Sequence, residues 1–95
     1  DVFLQAEKEF SAYNFEHANT DNLFKMFDML ELEAQSLAKK KLSLPAYDQC
    51  LKASHVFNIL DARGVISVAQ RAGYIGRIRD ITKVVADVWL SSQIK

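Results

Sequence analysis

Four arginines, Arg63, Arg71, Arg77 and Arg79, are the residues of this 95-residue chain whose chemistry and spacing could serve a partner. A guanidinium is a rigid planar fork of donors that matches phosphate or carboxylate oxygens, and the last three fall on or near one helical segment. They could grip an RNA backbone or an acidic protein surface. The simpler assignment is ion pairing within the fold, with Asp61, Asp80 and an acidic second helix as acceptors.

Other reactive side chains do not combine into a site. His55 follows Cys50 by five residues, which sets the pair about 140° apart around a helix and makes them poor co-ligands. His55 is expected to be a satisfied structural histidine, and His17 falls in a connector. Glu7 with Glu9, and Glu31 with Glu33, are two residues apart, so neither pair faces inward together on a helix and solvated faces explain them. Gly73-Tyr74-Ile75-Gly76 imitates the Gly-x-x-Gly clamp of an RNA-binding module that needs strands around it, whereas both flanks here read as helix. No Walker loop, dinucleotide fingerprint, zinc-protease helix or nucleophile elbow occurs. No catalytic, cofactor-binding or metal-ligating residue is assigned.

The elements that must position the arginines are helices. Apolar residues recur at three- and four-residue steps with no sustained alternation, and 49% hydrophobic content with four Gly plus Pro excludes disorder and predicts one folded all-α domain, residues 1–95. Four helices are expected, at about 2–13, 20–41, 45–63 and 67–93. The first carries Phe3, Ala6 and Phe10 on one stripe and ends near Asn14. Asn19 or Thr20 caps the second, which buries Leu23, Phe27, Leu30, Ala34 and Leu37 and places Lys39, Lys40 and Lys41 against its negative end. Pro45 opens the third at a first helical position, and Gly64 closes it with a left-handed cap. Tyr47, Cys50, Leu51, Ser54 and Asn58 share one side of this helix while Ala46, Ala53, Phe57 and Leu60 share another, as a centrally buried helix requires. Ser67 and Gln70 form a capping box for the fourth. Its stripe is read as Val68, Ala72, Ile75, Ile78, Val85 and Val88 or Trp89, and Gly73 and Gly76 call for close helix packing or close ligand approach to offset their cost. The shared core is expected to be Leu23, Phe27, Leu30, Phe57, Ile75 and Val85, with the Arg-rich side of the fourth helix left for a partner.

Net charge is zero but unevenly spread. Residues 1–38 hold two Lys against eight acids, a balance of −6, and the remainder ten bases against four acids, +6. Acidic and basic helices lying against each other explain this most simply, with a basic face for RNA or an acidic partner as the alternative. The lone Cys50 fits a reducing compartment, no apolar run approaches the roughly 18 residues of a membrane span, and no leader pattern opens the chain, so a soluble cytoplasmic protein is expected. The first residue is Asp, which suggests a fragment or a processed product.

The order of short motifs is specific. Leu44-Pro45-Ala46-Tyr47, Leu51-Lys52-Ala53, His55, Phe57-Asn58 and Leu60-Asp61-Ala62-Arg63, followed by Ile66-Ser67-Val68, Arg71, Tyr74-Ile75 and Arg77-Ile78-Arg79, resemble the end of bacterial glycyl-tRNA synthetase alpha subunits. Asp1-Val2-Phe3, Gln5, Glu7 and Tyr13-Asn14-Phe15-Glu16 resemble the stretch joining that tail to the catalytic core, making residues 1–16 a connecting helix. The chain departs from the pattern at Gln70, where many relatives have glutamate, and at Gly73 and Gly76, where others have bulkier residues. The resemblance implies a subunit of an alpha-two beta-two class II ligase that activates glycine with ATP and magnesium and charges glycine tRNA. The motifs that build its ATP and glycine pockets lie upstream of Asp1 in such proteins, so the 95 residues alone are expected to be inactive. A helical tail of this kind implies docking of the beta subunit, support of an alpha–alpha dimer, or contact with tRNA. The competing reading is a stand-alone helical module that binds protein or RNA.

Overall fold

The computed structural model describes residues 1–93 as an all-α domain of four helices, α1 (Val2–Ala12), α2 (Thr20–Lys39), α3 (Ser43–Ala62) and α4 (Val68–Gln93), with no strand among the described residues. Asp1 caps α1 by accepting from the Phe3 N–H at 2.9 Å. The helix does not stop near Asn14 as its sequence suggests. It widens into a π-helical turn, Tyr13–His17, closed by Ala18 N–H donating to the Tyr13 carbonyl at 2.8 Å, and breaks where Ala18 turns extended (ψ 131°).

Of the two candidate caps for α2, Asn19 serves, accepting from the Asn22 N–H at 3.1 Å. The helix ends two residues before position 41, because Lys41 adopts φ 65°. Lys41 N–H then bonds the Ala38 carbonyl at 3.0 Å and Leu42 N–H the Leu37 carbonyl at 2.9 Å, the paired bonds of a Schellman ending. A left-handed lysine costs roughly 1–2 kcal/mol that glycine would avoid. Helix α3 starts two residues earlier than expected, leaving Pro45 at its third position. This is still inside the first turn, where a missing N–H removes no helical bond. At its far end Gly64 has the expected left-handed angle, φ 70°. The capping box of α4 forms in both directions, Ser67 N–H to Gln70 Oε1 at 2.9 Å and Gln70 N–H to Ser67 Oγ at 3.1 Å.

Helix α3 is the central element, packed on both α2 and α4. Two clusters fill the bundle. Leu23, Phe27, Val56, Phe57 and Leu60 gather beside Ala18 at one end, with Phe24, Leu30, Tyr74 and Ile78 packed around them. At the other end the interior is made of small residues, Ala34, Ala38, Ala46 and Cys50, closed by Ile81 and Val85. The expected core holds for Leu23, Phe27, Phe57 and Val85, and Leu30 is half-buried. Ile75 is 40% exposed, however, and Val68 and Ala72 face solvent. The inward stripe of α4 is Tyr74, Ile78, Ile81, Val85 and Val88, a regular four-three-four-three spacing whose first member is an aromatic that a purely aliphatic reading passes over. On α3, Tyr47, Leu51 and Asn58 are likewise exposed, so only Cys50 of that side is fully interior.

Helix α1 stands apart. Among the described residues it touches only the π-helical turn, buries nothing, and leaves Phe3 and Phe10 67% and 68% exposed. The radius of gyration, 15.5 Å, exceeds the roughly 12 Å of a compact domain of this length for that reason.

Candidate functional site

The four arginines do not form one basic face. Arg63, the C-cap of α3, points its Nη1 back to the Ala18 carbonyl at 2.5 Å and so satisfies the acceptor released where the π-helical turn ends. Arg71 reaches Asp61 through Nε at 3.3 Å, on the surface. Arg77 is turned inward. Its Nε donates to Glu31 Oε2 at 2.9 Å and its Nη2 to Glu31 Oε1 at 2.6 Å and Asp28 Oδ1 at 2.8 Å, which locks α4 to acidic α2. The guanidinium lies 4.7 Å from the Phe27 ring centre and 5.1 Å from that of Tyr74, and the Tyr74 ring meets Phe27 edge-on at 4.8 Å. Hydrogen bonding to Glu31 raises the Arg77 pKa above its ordinary value, burial opposing and Asp28 adding to the effect. Arg79 is exposed and has no ion-pair partner among the described residues. Glu31 is thus not a solvated carboxylate, its side chain being 17% exposed against Arg77.

The remaining reactive groups stay separate. His55, expected from the sequence to be a satisfied structural histidine, is exposed, and His17 lies at the surface 3.8 Å from Glu16. Cys50 is a buried free thiol whose pKa burial pushes up. No group of three or more His, Cys, Asp or Glu lies close enough to hold a metal ion among the described residues. Space beside Gly73 is open, and a side-chain carbon at Gly76 would meet only the end of Arg79 at 3.9 Å, so close helix packing is not why these glycines are there.

One concave feature lies away from the arginines. A groove of about 250 Å³ runs between the first turns of α3 and the last turns of α4, lined by Leu44, Tyr47, Thr82, Val85, Ala86 and Trp89. Sequence reading placed Tyr47 and Trp89 among helix-packing residues, yet both are about half exposed. The signal that separates them from core is the alanine run of α2 and α3, because Ala34, Ala38 and Ala46 bring the backbones together and leave no interior room for large rings.

Three packed helices, a fourth that stands apart from them and an aromatic-lined groove make up an all-α domain. A profile of the glycyl-tRNA synthetase alpha subunit family matches residues 1–94, and the chain belongs to that family of aminoacyl-tRNA ligases. No helix among the described residues is long and apolar enough to cross a membrane.

Proposed function

We propose that these helices are the C-terminal domain of a cytoplasmic class II glycine–tRNA ligase alpha subunit and that they hold subunits together without entering the reaction. The parent enzyme activates glycine with ATP and magnesium and passes the glycyl group to glycine tRNA in protein biosynthesis. In this reading both cofactors bind in a catalytic core to which residues 1–16 connect. The observation that carries the placement is the bare face of α1, because Val2, Phe3 and Phe10 exposed together mark a surface for a body beyond these residues, the core that residues 1–16 join, while the alpha-subunit family supplies the beta partner. The beta subunit is the partner of the bundle, and the alpha–alpha dimer lies outside it.

Removing residues 20–95 from the alpha subunit is expected to abolish co-purification with the beta subunit. The isolated 95 residues should show no glycine-dependent ATP–pyrophosphate exchange. Undiminished capture of beta by the truncated subunit would refute the docking role. Exchange by the isolated helices would refute the placement of catalysis elsewhere.

A further inference from the structure

We propose that the groove between α3 and α4 seats an acidic amphipathic helix of a partner protein, one bulky apolar side chain entering between Tyr47 and Trp89 while carboxylates meet a surrounding rim of cations. The proposal rests on the docking reading above and states where on the domain, and through what chemistry, the partner is held.

The floor decides against a nucleotide. Leu44 and Val85 are aliphatic, and the Thr82 hydroxyl is already spent, donating to the Ile78 carbonyl at 2.7 Å. A base edge would find little to bond, whereas an apolar side chain loses nothing on entry. About 250 Å³ accommodates one or two large side chains. Tyr47 and Trp89 are rigid and amphipathic, the residue types that dominate binding energy when a partner covers them. Helix-in-groove recognition lays the apolar face of an amphipathic helix into a hydrophobic groove of this kind.

The rim supplies the sign. Lys39, Lys40 and Lys41 stand two to four residues before Ser43 at the groove's α3 end, and Arg79 and Lys83 lie three residues before and one residue after Thr82 on α4. None of the five pairs with a carboxylate among the described residues. Of the nearby acids, Asp48 is held by Lys52 at 3.1 Å, and Asp80 faces the opposite cleft with Glu31 and Arg77. Asp87 alone remains, so the chain next to the groove carries five cations against one acid.

The test measures binding of purified beta subunit to the alpha chain carrying this domain, at low and at moderate salt. Trp89→Ala should weaken binding about tenfold or more. The exposed pair Arg79→Glu with Lys83→Glu should weaken it similarly at low salt and flatten its salt dependence. Circular dichroism checks that each variant is folded, and the charge reversal stands if Trp89→Ala is not. Wild-type affinity in both variants would overturn the groove while leaving the docking role intact. Failure of the wild-type chain to bind beta at all would instead overturn the docking role itself. Unchanged beta binding with weakened binding of glycine tRNA would identify RNA as the occupant. A concentration-dependent dimer of the wild-type chain, lost in Trp89→Ala, would identify a second copy, whose acidic α1 presents Phe3 and Phe10. Either of these last results overturns the proposal.

Discussion

Replacing Arg77 by methionine keeps most of the aliphatic stem in place and removes the guanidinium, which isolates the worth of its contacts. Two charge-assisted bonds join it to Glu31, a third reaches Asp28, and two aromatic rings lie under it. The Arg77 side chain is 37% exposed and that of Asp28 61%, so solvent screens the pair and the bonds carry far less than buried ones. Allowing about 1 kcal/mol for each Glu31 bond, a few tenths for Asp28 and about 0.5 kcal/mol for the rings gives a loss of about 2–3 kcal/mol. For a domain this small, with a urea slope near 1–1.5 kcal/mol per molar, the midpoint should fall by about 2 M. Arg77→Lys should recover less than half, because an ammonium cannot fork onto both Glu31 oxygens. A double-mutant cycle with Glu31→Gln should return about 1–2 kcal/mol of coupling. A midpoint shift below about 0.4 M at unchanged slope, or coupling near zero, would show that the clamp is ornamental and that packing of Tyr74 alone holds α4 to α2.

The backbone makes further predictions. Gly73→Ala and Gly76→Ala should each raise stability by about 0.5–1 kcal/mol in thermal melts, since nothing obstructs the added carbon and the helix gains a better former. Lys41→Gly should be neutral to stabilising by about 1 kcal/mol, whereas Gly64→Ala, with nothing crowding the site but φ 70°, should cost about 1 kcal/mol or more. Cys50 sets an alkaline limit. Its folded pKa lies above the ordinary value of 9.0, so the unfolded chain loses the proton first and stability falls as pH rises past about 9, with no effect near neutrality. Chemical denaturation between pH 7 and 10 should therefore show a steeper alkaline decline in the wild type than in Cys50→Ala.

Most of the fold is legible in the sequence because its punctuation is local. Gly64, the Ser67–Gln70 pair and Asn19 each act within four residues of themselves, so their roles survive any tertiary arrangement. The Schellman ending at Lys41 is hidden because lysine gives no hint of a left-handed angle. The stripe of α4 is misread at Ile75 for a tertiary reason: Tyr74 is drawn in by Phe24, Phe27 and Phe57, rings that lie on other helices. The site was less accessible still. That Arg77 would face inward depends on Glu31 standing one helical turn beyond Phe27 on a helix 46 residues earlier in the chain, a distance at which no periodicity speaks.

The alanine-lined end of the bundle governs the surface above it. The methyl groups of Ala34, Ala38 and Ala46 leave little interior volume for larger side chains at this end, and Leu44, Tyr47 and Trp89 line the groove on the outside. The recess on the exterior is the imprint of this narrowness. A change that never reaches solvent, such as Ala46→Leu, would pry α3 from its neighbours and reshape the outer face from behind. Selection or design can thus reshape the groove without touching a single exposed residue.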